Sequence, residues 1–276
     1  MVFYHVPLAN SAVERLDLAL IDAATLAKDA DGWVILDARP RAQWLEGAVP
    51  GAFSFSWQDY TRTDEDGVPY QPPPLQELTG ILGRLGIDDK TPVVVYGDAD
   101  SSWGGEGWTA WLLSWLGHKG PVRVLDGGIQ SWRSLGYPTS EGGRQGKEGR
   151  FVRHYEAQLT PEIAETFADI RSRQGQQPVL VDTRSNWEWL LGHIPGAVHI
   201  PWTEFFAGPE RRPLRSDELK SLLARHGIDP GHPIVYYCEG GIRSAYAWMA
   251  HTLAGLPPAR NYEGGVAEWR LRSSGS

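Results

Sequence analysis

The chain is poor in sulfur and in long hydrophobic runs. One cysteine, Cys238, and two methionines stand in 276 residues. A single cysteine excludes an intramolecular disulfide, a CxxC redox pair and a thiolate zinc cluster. No apolar run approaches the ~18 residues of a membrane span. The opening "MVFYHVPLANSAVERL" has no charged region followed by a long apolar stretch, so no signal peptide is expected and a cytoplasmic location is favoured. Basic residues are outnumbered, 26 Lys and Arg against 34 Asp and Glu, for a formal charge of −8. That balance gives no reason to expect nucleic acid or an anionic membrane as partner. What remains is a globular composition, 41% hydrophobic with 13 Trp, in a chain long enough for one large domain or two ordinary ones.

The chain repeats itself. "WVILDARPRAQWLEGAVPGAFSFSW" (33–57) matches "PVLVDTRSNWEWLLGHIPGAVHIPW" (178–202), with Asp37 and Asp182, Arg39 and Arg184, and Trp44 and Trp189 each 145 apart. "GRLGIDDKTPVVVYG" (83–97) matches "ARHGIDPGHPIVYYC" (224–238) at 141, and "VLDGGIQSW" (124–132) matches "NYEGGVAEW" (261–269) at 137. Order and spacing persist through both halves, which marks a duplication. Within each half, short β-branched runs bounded by Gly, Pro and Asp read as buried strands: "VILD", "AFSF", "VVVY" and "VRVLD", then "VLVD", "AVHI", "IVYY" and "RNYE". Strands alternating with helical segments predict two α/β domains, each a parallel sheet with helices outside. The polar, glycine-rich stretch near 141–150 reads as the linker, dividing a domain at 1–140 from one at 151–276. "QPPPLQEL" (71–78) reads as prolines opening a helix rather than as a polyproline ligand.

Cys238 directly follows "IVYY", a predicted central strand, and so falls at the sheet edge where open α/β folds bind ligands. Glu239 to Arg243 must then turn the chain into a helix, and Gly240 and Gly241 permit unusual backbone angles. Such a loop aims successive N–H groups inward as an anion nest at a helix N-terminus. A thiol inside that nest, beside Arg243, is expected to be activated as a thiolate nucleophile. A buried apolar filler would need none of this loop chemistry. The repeat supplies an internal control. Gly97 stands where Cys238 stands, in a loop, "GDADSSWGGEG", four residues longer and carrying Asp98, Asp100 and Glu106. One half reads as active and the other as a scaffold.

These motifs resemble the tandem-domain rhodaneses, the thiosulfate/3-mercaptopyruvate sulfurtransferases. The resemblance spans residues 17–137 and 160–272 and rests on "DAR" and "DTR", "GAVPGA" and "GHIPGA", "CEGGIRS", "LDGGIQSW" and "YEGGVAEW". It implies two sheets of about five parallel strands, an inactive N-terminal domain, a catalytic C-terminal domain and a site opening at the domain interface. It implies no metal and no organic cofactor. Cys238 would take sulfane sulfur from a donor as a persulfide and pass it to cyanide or a thiol, with a thiol protein such as thioredoxin as a further acceptor and the chain working as a monomer. Arg243 and Arg184 would hold an anionic donor, and Glu239, Gly240, Gly241, Ile242 and Ser244 complete the donor-contacting loop. Asp182 reads as a structural support, since Asp37 repeats it, and His193 as a turn-stabilising residue. Trp103 would wall the mouth of the pocket. Glu239 carries the wrong sign for thiosulfate, so it is read either as selecting against strongly charged donors or as a structural partner of Arg184 or Arg243.

The Cys-x-x-Gly-x-Arg-Ser loop is most similar to thiosulfate-type enzymes. The second arginine that often follows "DxR" in mercaptopyruvate enzymes is missing, and Trp187 and Glu188 stand there instead. Three further readings stay open: a 3-mercaptopyruvate or polysulfide sulfurtransferase, a persulfide carrier or binding module with little turnover, and a phosphatase. The phosphatase is disfavoured because Cys238 and Arg243 enclose four residues rather than five, with no evident general acid beside the loop.

Overall fold

The structure is a computed structural model and describes residues 17–141, 152–172 and 178–274. Residues 1–16 and all but the first residue of the linker placed at 141–150 lie outside these. Each half builds one five-stranded parallel sheet. In the first, β1 (Leu18–Ile21), β2 (Val34–Asp37), β3 (Phe53–Ser54), β4 (Val93–Tyr96) and β5 (Val122–Leu125) run in the order β1-β5-β4-β2-β3. In the second, β6 (Ala164–Glu165), β7 (Val179–Asp182), β8 (Val198–His199), β11 (Ile234–Tyr237) and β12 (Arg260–Tyr262) run in the order β6-β12-β11-β7-β8. The order is the same in both halves, as the duplication requires. Eight of these strands coincide with the runs read from the sequence. β1 and β6 do not: they are edge strands, recruited by pairing with β5 and β12.

The sheet centres are the most apolar runs. Every residue of β4, "VVVY", and of β11, "IVYY", is buried, as expected of parallel strands covered on both faces. β11 pairs with β7 and β12, which sets Tyr237 beside both Asp182 and Tyr262. Cys238 therefore leaves the middle of the sheet at its carboxyl edge. The prolines at 72–74 end where the helix Leu75–Arg84 begins, with Pro74 at its N-cap.

The halves meet through the helices that follow the two central strands, Gly105–Trp115 and Ile242–Leu253. Ten consecutive residues of each are buried, Gly105 to Ser114 and Ile242 to His251. They cross at backbone contact: a Cβ added to Gly107 would lie 2.3 Å from Tyr246 Cα. Each half also lends a hairpin to the other. The antiparallel pair β9 (Phe206–Ala207) and β10 (Arg212–Pro213) reaches the first half, where Arg212 pairs with Asp126 at 2.7 Å and Arg211 with Asp100 at 3.3 Å. The first half answers with the turn closed by the Arg62–Gln71 bridge, which brings Tyr70 onto the Cys238 loop. Tyr70 and Arg211 are 141 apart, and both adopt left-handed backbone, at φ 65° and 54°.

Candidate active site

Cys238 is 1% exposed and lies at the base of the loop that joins β11 to the Ile242–Leu253 helix. Ser244 Oγ donates to Cys238 Sγ at 3.6 Å. The backbone N–H groups of residues 239 to 244 have no acceptor among the described residues, while the Cys238 carbonyl is fixed by Val266 N–H at 2.9 Å. An array of unspent donors around a sulfur is an anion cradle.

The two loop glycines serve different ends. Gly241 caps the helix at φ 81°, and a Cβ there would meet Glu263 Cα at 2.8 Å. It is glycine for conformation and for space. Gly240 is not left-handed. It is glycine because Tyr70 packs on it, with Cδ2 2.4 Å from where a Cβ would stand. Asn261 Nδ2 donates to the Gly241 carbonyl at 3.2 Å and ties the loop to β12.

Arg184 and Arg243, the residues expected to hold an anionic donor, both have protein partners. Arg184 is fully buried. Its Nε and Nη2 donate to Asp182, Nη2 also to the Gly192 carbonyl at 2.7 Å, and Nη1 to Glu239 at 3.4 Å. The half without a thiol repeats this cluster, with Arg39 donating to Asp37 and to the Gly47 carbonyl. The Asp–Arg–carbonyl contact is thus common to both halves and is held whether or not a thiol follows the central strand. Arg243 forms a two-pronged pair with Glu188, both bonds at 2.7 Å. Burial opposes the Arg243 charge, but the hydrogen bonds to Glu188 and the adjacent Cys238 sulfur outweigh it and raise the guanidinium above its ordinary range. Burial likewise opposes the Glu188 charge, yet the bonds from Arg243 and Ser185 hold its carboxyl down at about 2.

Glu239 is not the uncompensated charge that repulsion of donors would require. Arg184 reaches one oxygen and Arg270 Nη1 the other at 3.1 Å, which is the structural alternative. Trp103 is half exposed and has the Arg243 guanidinium 5.8 Å from its ring centre. Ile242 and Ser244 are buried in the first turn of the helix. His193 stacks on Trp189 and bonds its carbonyl, away from the sulfur. Two contributors escaped the sequence reading. Tyr70 comes from a distant hairpin and carried no signal. Glu188 carried one, since Ser185 and Glu188 spell a capping box that aims the glutamate back at the helix start. Among the described residues no cluster of three or more His, Cys, Asp or Glu side chains is placed to hold a metal ion.

The corresponding loop of the first half is the same turn with carboxylates inside it. Asp98 Oδ1 accepts from the N–H groups of Ser101 and Ser102 at 2.8 and 3.0 Å, so two of the loop's donors are spent on its own carboxylate. A Cβ on Gly97 would lie 2.1 Å from Glu106 Oε2. The space of the missing thiol is taken.

A paired fold with one such loop emptied for a thiol and one closed by carboxylates is matched by the model of the rhodanese-like domain, at residues 21–135 and again at 164–272. The chain belongs to the rhodanese family. Among similar proteins are the sulfur carrier protein TtuD of Thermus thermophilus, 31% identical over 81% of this rhodanese and 82% of that protein, and human 3-mercaptopyruvate sulfurtransferase, 28% identical over 84% and 80%. Chicken (Gallus gallus) thiosulfate sulfurtransferase is 26% identical over 94% and 91%. An EanB variant in complex with ergothioneine superposes with a TM-score of 0.79 at 25% identity, covering 91% of this rhodanese and 67% of that chain. The Escherichia coli 3-mercaptopyruvate sulfurtransferase SseA shares the fold, with a TM-score of 0.76 at 23% identity over 89% and 98%.

Proposed function

We propose that this rhodanese moves sulfane sulfur through a persulfide on Cys238, with thiosulfate as donor and cyanide or a thiol, including a thiol protein such as thioredoxin, as acceptor. The single observation that supports the reading is the contrast between the loops: a thiol with the N–H groups of residues 239 to 244 unspent in one, and in the other no thiol, two N–H groups spent on Asp98 and Glu106 in the thiol's space. The Cys238 thiolate attacks the outer sulfur of thiosulfate, the S–S bond breaks, and sulfite leaves with the bonding pair. The persulfide keeps one negative charge, which the loop N–H groups stabilise before and after transfer. Cyanide then attacks the outer sulfur, thiocyanate departs and the thiolate returns. Neither step with thiosulfate and cyanide needs a general acid, and the Ser244 hydroxyl donates to the sulfur.

The names of the relatives favour a second reading, with 3-mercaptopyruvate as the donor or with the chain as a persulfide carrier of little turnover. Mass spectrometry after incubation with each donor separates these. Thiosulfate is expected to add one sulfur atom to the wild-type chain and none to Cys238→Ser. A serine variant that turns over would overturn the mechanism. Rapid loading by 3-mercaptopyruvate without loading by thiosulfate would move the donor to the second reading.

A further inference from the structure

The cation nearest the thiol is not free. Arg243 carries its charge into the first turn of the helix beside Cys238, yet both outer nitrogens are held by Glu188. Glu188 is itself fixed: Ser185 N–H and Oγ donate to its Oε2 at 3.0 and 2.6 Å. Trp103 closes the guanidinium from the other side. The remaining charges around the loop, Asp182, Arg184, Glu239 and Arg270, are likewise paired with one another. The mouth therefore offers a donor neutral ion pairs and backbone N–H dipoles, without an unopposed guanidinium.

We propose that Glu188 is a specificity-determining residue: by clamping Arg243 it lowers the site's preference for dianionic donors and narrows the gap between thiosulfate and donors of smaller charge. The proposal rests on the sulfur-transfer reading above. Its physical basis is that attraction to a cation grows with the donor's charge, so cancelling that cation penalises a dianion about twice as much, in logarithmic terms, as a monoanion. A bidentate carboxylate cancels a guanidinium more completely than a distant charge, because it occupies the same N–H groups that an anion would use. The clamp holds at every pH where the fold is expected to work, since the Glu188 carboxyl titrates near 2.

Glu188→Gln removes the charge but keeps an oxygen for the Ser185 cap, so the helix start is retained. Two measurements on the full chain test the idea. In the first, thiosulfate binding is titrated by calorimetry to Cys238→Ser with and without Glu188→Gln, where no turnover can intervene. The glutamine is expected to tighten binding about tenfold, equivalent to ~1.4 kcal/mol. In the second, steady-state kinetics compare thiosulfate with 3-mercaptopyruvate, a monoanion at its carboxylate. The kcat/KM should rise about tenfold for thiosulfate and about threefold for 3-mercaptopyruvate, carried by KM with kcat little changed. Adding Arg243→Gln should erase both gains. Unchanged thiosulfate affinity, equal changes for both donors, or a gain that survives Arg243→Gln would overturn the proposal. Failure of any donor to load Cys238 in the wild-type chain would instead defeat the sulfur-transfer reading, while the binding titration would still decide the clamp.

Discussion

Glu106 and Arg243 hold the same place in the two halves, 137 residues apart, each in the first turn of a helix capped by a glycine at φ 81°. One position thus carries opposite charges. In the second half the guanidinium lies beside a thiol. In the first, the carboxyl group fills the volume a thiol would need, 2.1 Å from a Cβ on Gly97.

Restoring the cysteine should therefore not restore a site. Gly97→Cys is expected to destabilise the chain by roughly 1–3 kcal/mol through overpacking, visible as a lower urea midpoint. Thiosulfate should still add one sulfur per chain. A second sulfur on an intact Gly97→Cys protein would show that Glu106 yields readily.

Burial pushes the Glu106 carboxyl up to about 7, helped by the charges of Asp98 and Asp37 and opposed by its Ser102 bond. The folded state thus holds a proton that the unfolded chain releases near 4.5. The stability this supplies is complete below about 4.5 and is lost as pH rises to about 7. The loss is on the order of 3 kcal/mol. Glu106→Gln should remove this component, so the difference in unfolding free energy between variant and wild type should grow across that window and level off above it. A difference independent of pH would show that Glu106 is ionised throughout.

Trp103 sits at φ 53°, a region that costs a non-glycine residue ~1–2 kcal/mol. Replacing it by Gly and by Ala removes the same indole, so the pair isolates the backbone. Trp103→Gly should be more stable than Trp103→Ala by about 1 kcal/mol. Both should lose about two- to fivefold in kcat/KM if the indole's contact with Arg243 helps hold the mouth, the effect of an exposed cation–π pair. Equal melting temperatures would argue that the loop relaxes once the indole is gone.

Gly107 and Gly80 offer a matched pair of helical glycines. At Gly107 a Cβ meets Tyr246 Cα at 2.3 Å and its N at 2.6 Å, both backbone atoms of the partner helix. At Gly80 the nearest atom is the mobile end of Arg84, at 3.5 Å. Gly107→Ala should cost about 3 kcal/mol, the upper end for overpacking, and lower sulfur transfer as well. Gly80→Ala should stabilise by about 0.5–1 kcal/mol. Urea denaturation of both variants checks the contrast, and a neutral Gly107→Ala would mean the helices can separate without loss.

The central strands were legible because they are continuous apolar runs, and the duplication fixed which loop in one half answers which in the other. The place of Cys238 at the carboxyl edge of the sheet was legible because it directly follows the apolar run of β11. The edge strands β1 and β6 were not, since "LALI" and "AE" become strands only when β5 and β12 pair with them. The partners of the arginines were half legible. The repetition of Asp37–Arg39 in a half without a thiol argued that Asp182 was structural, whereas the bonds from Arg184 to the Gly192 carbonyl and to Glu239 depend on how the loops fold together. Tyr70 lies 170 residues from the loop it covers, and only the folded arrangement of hairpins brings it there.

The crossing of the two buried helices also has a consequence for the history of the chain. Each helix turns ten successive residues away from solvent, so neither keeps a polar face with which its half could live alone. A deletion that shed the half without a thiol would uncover Ala245 and Tyr246 on the other, along with the hairpin seat around Gly240. Return to a single unit would demand several polar replacements along Ile242–Leu253 at once, each harmful while the partner remains. The merger works as a ratchet: the first copy can lose its chemistry, but the second can no longer lose the first.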